Sequence, residues 1–183
     1  KADQDTVVNL TNHAYFNLSG NCQTTILNHN LYLPCNKYTR LNNELITLSI
    51  DDVNEIFDFR DNHNVGKFVE DSSLQDHKAK GYDHCFMKED ETNPLVAILS
   101  CAESGISVKI SSDYPSVVFY SGCYPDSFPF NDDKVASYKY HALCLEPQFI
   151  PNGINMENVP QALLKPEDVK KMAFRSSIGR NIY

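Results

Sequence analysis

Three polar side chains in this 183-residue chain stand among apolar or aromatic neighbours, and each offers a distinct chemistry. His13 lies within Asn9-Leu-Thr-Asn-His-Ala-Tyr-Phe-Asn17, and an imidazole is the side chain suited to giving and taking a proton near neutral pH. Asp83 follows Gly81-Tyr82 at an abrupt return to β-prone sequence; a carboxylate can accept hydrogen bonds from two hydroxyls at once. Glu146 closes the apolar run His141-Ala-Leu-Cys-Leu145 and precedes Pro147. Proline withholds a backbone donor, so strand pairing is expected to loosen there and leave Glu146 where a strand opens into a loop. Residue type alone leaves other roles open, since a His beside Asn is as often a structural imidazole and an Asp after Gly a turn former.

The elements that must position these groups read as β-structure. Thr6, Val7, Val8 and Leu10 have strand character, but each asparagine after them lowers β-propensity and needs a partner if buried, so the polar groups of Asn9–Gly20 are expected to face a ligand. Asn28 to Leu33 forms a short strand closed by Pro34, Tyr38 to Asn43 reads as polar loop, and Leu45 to Ile50 alternates loosely. Asp51 to Ile56 has room for at most a helical turn or two. Asp61 to Lys80, dense in polar residues, is expected to be a long surface loop. Its His63 and His77 lack metal-ligand spacing and read as solvated.

Leu95–Ser100 and Ile106–Ile110 predict a hairpin with one buried face. In the next strand Phe119 and Tyr120 point to opposite faces, one to the core and one available to a ligand. Tyr124, Phe128 and Phe130 lie between prolines and predict an aromatic loop near the site, or one that merely closes the end of the fold. Pro166 to Met172 has the composition of one short helix.

Composition sets outer bounds. Hydrophobic residues at 42% and charged residues at 22% suit one packed domain spanning residues 1–183. A net charge of −8 without a basic cluster argues against nucleic acid. No apolar run approaches the ~18 residues of a membrane helix, and the start Lys-Ala-Asp-Gln-Asp carries no signal-peptide hydrophobic region. The six cysteines are widely spaced in a chain that does not need staples, and Cys85, Cys101 and Cys144 read as small hydrophobes in apolar runs. Reduced thiols and a cytoplasmic location are therefore expected.

The run Asn9-Leu-Thr-Asn-His13-Ala-Tyr-Phe-Asn-Leu18 resembles the signature of the aldose 1-epimerase (galactose mutarotase) family. Matches in the same order follow at Phe57-Asp-Phe-Arg60, Gly81-Tyr-Asp-His-Cys-Phe86, Val118-Phe-Tyr-Ser-Gly122 and Cys144-Leu-Glu-Pro-Gln148, with Pro151-Asn-Gly and Leu164-Lys-Pro-Glu167 behind them. The resemblance covers nearly all of this chain but only the C-terminal half of the family's pattern, so the chain is expected to be a fragment, a processed chain or one piece of a split protein.

The resemblance implies an all-β fold, a large antiparallel β-sandwich of the galactose mutarotase-like supersandwich kind, of which this would be the C-terminal portion. It implies interconversion of α and β anomers of hexoses such as glucose or galactose, with His13 as general acid, Glu146 as general base and Asp83 as a substrate-binding carboxylate. Opening and reclosing a hemiacetal needs no metal, nucleotide or covalent nucleophile, so no cofactor is expected. The family's further sugar-holding histidine and arginine come from its N-terminal portion and match no position here. That portion, as a separate segment or chain, is the expected partner besides the sugar. Two rivals stand beside this reading, a non-catalytic carbohydrate-binding relative and a glycosidase-like or other sugar-epimerising enzyme using Asp83 and Glu146, and the ordered motifs disfavour a third, a plain structural β-domain.

Overall fold

The computed structural model describes residues 2–21, 23–76, 78–124 and 138–180. Among these the strands are β1 (Thr6–Val7), β2 (Tyr15–Phe16), β3 (Asn30–Tyr32), β4 (Cys35–Leu41), β5 (Thr47–Asp52), β6 (His63–Asn64) and β7 (Asp83–Lys88). They continue as β8 (Leu95–Cys101), β9 (Ile106–Ser112), β10 (Ser116–Tyr120), β11 (Leu143–Gln148), β12 (Leu163–Leu164) and β13 (Phe174–Arg180). A four-residue helix, α1 (Ser72–Gln75), starts at Asp71, whose side chain accepts from the Ser73 N–H and so satisfies an otherwise orphaned donor.

Every strand pairing is antiparallel. A six-stranded sheet runs β2-β11-β10-β7-β4-β5, a five-stranded sheet runs β13-β9-β8-β3-β6, and β1 pairs with β12. The expected antiparallel β-sandwich is therefore the observed architecture. Its logic is the two-residue side-chain period. Phe86, Val117, Phe119 and Leu145 of the six-stranded sheet meet Leu31, Leu99, Val108 and Ile110 of the five-stranded sheet in one buried cluster. Each such side chain contributes about 1.5–3 kcal/mol by leaving water. Phe59 wedges edge-on against both Phe86 and Phe119. The alternate residues of β7, β10 and β11 therefore project from the other face of this sheet, and these carry the site.

Several local expectations are corrected. Tyr38–Asn43 is not loop: β4 runs through it, with Tyr38, Thr39 and Leu41 buried. Tyr38 stacks on Phe57 at 3.9 Å, and the Thr39 hydroxyl accepts the Cys85 N–H at 2.9 Å, so its polar atoms find partners within the sheet. β5 extends to Asp52, and no helix follows before Ile56. The 61–80 stretch is anchored by fully buried Val65, Leu74 and Ala79. His63 in it is no solvated side chain: it stacks on Phe59, with Nε2 2.7 Å from the Asp58 carbonyl. Residues 166–172 form no helix, and Lys170 spans back to the carbonyls of Gln161 and Leu163. His77, Phe128 and Phe130 lie outside the described residues.

Gly122 lets the chain leave β10 close to the entry of β11. Its φ is +68°, and a Cβ there would stand 2.0 Å from the Ala142 carbonyl oxygen. Gly122→Ala is expected to cost at least about 2 kcal/mol, a fall of roughly 4–8 °C in Tm for a chain of this size, read by thermal unfolding. An unchanged Tm would mean that the two strand ends need not approach so closely.

Candidate active site

Asn9 and Asn17 clamp the backbone, correcting for these two the expectation that they face a ligand, whereas Asn12 is exposed and accepts the Ala14 N–H. Asn9 grips Phe149 in both directions: its Nδ2 donates to the Phe149 carbonyl and its Oδ1 accepts the Phe149 N–H, each at 2.9 Å. Asn17 Nδ2 donates to the carbonyls of His141, at 2.7 Å, and Thr24, at 2.8 Å. Between these clamps Tyr15 pairs with Cys144 and Phe16 with Leu143. The contacts of 9 with 149, 15 with 144, 16 with 143 and 17 with 141 keep one antiparallel register along β11. His13 falls opposite Glu146 in that register, and its Nε2 lies 3.3 Å from Glu146 Oε1.

Buried His29 fastens the far end of the stretch by accepting the Leu18 N–H on Nε2 at 2.8 Å. Burial lowers its pKa to about 4, which keeps the ring neutral and Nε2 free to accept.

Glu146 lies within β11 and not at its end, a second correction. Pairing continues through Pro147 opposite Val117 and Gln148 opposite Ser116. Proline is tolerated because β2 stops pairing at Cys144, so β11 is locally an edge strand beyond it. Glu146 lies opposite Val118, and Tyr120 lies opposite both Cys144 and Asp83. Directly opposed residues share a face, so Tyr15, Asp83, Tyr120, Cys144 and Glu146 all belong to the outer face of the six-stranded sheet.

The electrostatics follow from burial. Glu146 is buried, which pushes its pKa up; positive charge on His13 opposes that shift and Asp83 adds to it. Burial raises Asp83 from 3.8 to about 6, again opposed by His13. Its backbone N–H is held by His84 Nδ1 at 3.1 Å, on the core side of β7. Rings enclose the group: Tyr15 stacks on His13 at 5.2 Å and meets Tyr120 edge-on, and Tyr120 stacks on Tyr124. The Tyr120 hydroxyl also accepts the Tyr124 N–H at 3.0 Å, pinning the chain as it leaves β10.

Because Asp83 is more acidic unfolded than folded, its ionisation opposes folding. The penalty is absent below about pH 4, grows between pH 4 and 6, and is complete above pH 6. Asp83→Asn is expected to stabilise the chain by about 1–3 kcal/mol at pH 8 and not at pH 3.5. Thermal unfolding at the two pH values checks this, and an equal shift at both would mean the gain does not come from titration.

The three side chains singled out above thus lie on one face of one sheet, with His13 and Glu146 in contact and Asp83 electrostatically linked to both. Cys144, read from the sequence as a small hydrophobe, is buried in the core cluster as expected, but a chemical role for its thiol was not foreseen. Its Sγ lies in a group with His13 and Glu146 whose donor atoms are all within 4.8 Å of one another. The signal was available, because residues two apart on a strand share a face. A groove of about 500 Å³ lies elsewhere. Asn12 and Pro147, the neighbours of His13 and Glu146, line it together with Val8, Phe149 and Met172, on the opposite side of these strands.

Fold and site together define an antiparallel β-sandwich that carries an imidazole–carboxylate pair and a buried carboxylate on the outer face of its larger sheet. The family model described as aldose 1-epimerase matches residues 1–175, and the chain belongs to that family. Galactose mutarotase of Mus musculus is 33% identical over 169 residues, covering 91% of this chain and 48% of its own length. Aldose 1-epimerase of Escherichia coli (strain K12) is 29% identical over 166 residues, covering 87% and 46%. The solved aldose epimerase homologue from C. elegans superposes with a TM-score of 0.78 at 25% identity, covering 97% of this chain and 53% of that one. The chain spans about half the length of the curated relatives it matches.

Proposed function

We propose that this chain carries the acid–base half of an aldose 1-epimerase site, which interconverts the α and β anomers of hexoses such as glucose or galactose. The observation that carries this reading is the 3.3 Å contact between His13 Nε2 and Glu146 Oε1. In the resting pair the imidazole and the carboxyl group stand in contact, one placed to give a proton and the other to take one when a sugar arrives. A hexose then separates them, its anomeric hydroxyl toward Glu146 and its ring oxygen toward His13. Glu146 takes the hydroxyl proton as the C1–O5 bond breaks, and His13 gives its proton to O5. Rotation about C1–C2 presents the other face of the aldehyde, and reclosure returns both protons to their donors. The cycle balances without a cofactor.

Asp83 is the hydroxyl-binding carboxylate in this reading, and the exposed rings of Tyr15 and Tyr124 offer apolar faces to the sugar. We assign residues 1–183 to a single domain, one part of the larger family sandwich. The opposing wall of the cleft would come from the counterpart of the relatives' other half, as a preceding segment or a separate chain. A cytoplasmic setting fits the five described cysteines, which form no disulfide with one another. No helix among the described residues is long and apolar enough to cross a membrane.

The test is anomer exchange of glucose and galactose by saturation-transfer NMR, on this chain and on the chain joined to that counterpart. Exchange in either, lost in Glu146→Gln, supports the epimerase. Sugar binding without exchange in both would move the assignment to a carbohydrate-binding relative.

A further inference from the structure

Cys144 gives the cleft a second chemistry. We propose that His13, Cys144 and Glu146 form a binding site for a thiophilic divalent cation, fitted to Zn²⁺, and that cation and sugar exclude each other. Their donor atoms lie within 4.8 Å of one another, with His13 Nε2 and Glu146 Oε1 3.3 Å apart. A cation centred among three atoms so spaced is at most about 2.8 Å from each, and Zn²⁺ takes nitrogen or oxygen at about 2.0–2.2 Å and sulfur at about 2.3 Å. Tetrahedral bonds of those lengths put ligand atoms roughly 3.3–3.7 Å apart. The His13–Glu146 separation already matches such an edge, so modest side-chain rotation closes the site.

The backbone explains the convergence. Cys144 and Glu146 are two residues apart on β11 and project from one face, while the clamped register of the 9–17 stretch brings His13 against them from the neighbouring strand. A thiolate with an imidazole selects a borderline-soft ion such as Zn²⁺ over Mg²⁺ or Ca²⁺. Cys144 is fully buried, so the cation reaches it past His13, whose side chain is 52% exposed. Binding replaces the Cys144 S–H bond with an S–Zn bond and releases that proton to solvent. It also occupies the His13 nitrogen that would carry the catalytic proton and the Glu146 oxygen that would accept one. Three protein ligands leave a fourth position for water, and displacement by substrate is reversible.

The metal site stands on this geometry alone; only its competition with sugar rests on the epimerase reading. Co²⁺ is the first probe, because a cobalt–thiolate bond gives a near-ultraviolet charge-transfer band. The chain is expected to show the band, Zn²⁺ to displace it, and Cys144→Ser to lack it. Removing an outer-shell partner already weakens metal sites about 10–100-fold, so losing the thiolate is expected to raise the Zn²⁺ concentration for half-occupancy at least tenfold, read by calorimetry. Glu146→Gln, which preserves side-chain shape, is expected to weaken Co²⁺ binding as well. If exchange activity is present, Zn²⁺ is expected to abolish it competitively with galactose, and Cys144→Ser to keep its metal-free rate while needing at least tenfold more Zn²⁺. Absence of the cobalt band, or equal Zn²⁺ affinity in Cys144→Ser, overturns the site. A band without competition by galactose keeps the metal site and removes its link to the sugar cleft.

Discussion

Glu146→Gln is expected to slow anomer exchange by about 10²–10⁴-fold, the range a positioned general base contributes. In barrier terms that is roughly 2.7–5.5 kcal/mol. The substitution changes little else. Gln has the same shape, so the rings of Tyr15 and Tyr120 and the β10–β11 register are unaffected, and a neutral side chain removes the cost of holding a carboxylate in a buried position. The fold should therefore be at least as stable, and the loss should appear in kcat at an unchanged Tm. Full activity in this variant would remove Glu146 from the mechanism and send the search for a base to Asp83.

His13→Asn is expected to be comparably severe, again about 10²–10⁴-fold, with a different signature in pH. Asparagine keeps a polar side chain in the register but cannot donate a catalytic proton. It also withdraws the charge that holds down Glu146, while burial and Asp83 continue to push that carboxyl up. The Glu146 pKa should therefore rise further, so the base form is reached only at higher pH. Residual exchange should climb with pH over a range where the parent chain has already levelled off. A His13→Asn profile parallel to that of the parent would mean that His13 does not hold the charge state of Glu146.

The two rivals separate on product and on rate. Released monosaccharide from a glycoside would favour the two-carboxylate reading, and sugar affinity that survives both substitutions without exchange in the parent would favour the binding relative.

The contrast between Asn17 and Cys144 shows how far residue order carries. Period-two alternation placed the 95–110 hairpin and put Phe119 and Tyr120 on opposite faces, because strand geometry ties face to parity along the chain. Parity likewise put Cys144 beside Glu146, although its small apolar character disguised it. The asparagines misled for a physical reason. An amide in a β-prone run signals a needed partner, but not whether that partner is a ligand or a distant carbonyl. Here Asn17 finds His141 and Asn9 finds Phe149. Tyr38–Asn43 misled likewise, since the partners that bury it, Phe57 and Cys85, lie well downstream in the chain.

Many of the strands and the alternation of their faces were thus legible in residue order, because each depends on neighbours within a few positions, whereas the three candidate polar residues took their roles from the family resemblance. Which strands lie side by side was not legible. His13 and Glu146 meet only because β2 pairs with β11, and Asp83 joins them only because β10 bridges β11 to β7. Such long-range registers are set by which buried faces close one core together with the least unpaired backbone, a balance over the whole chain that no local stretch encodes.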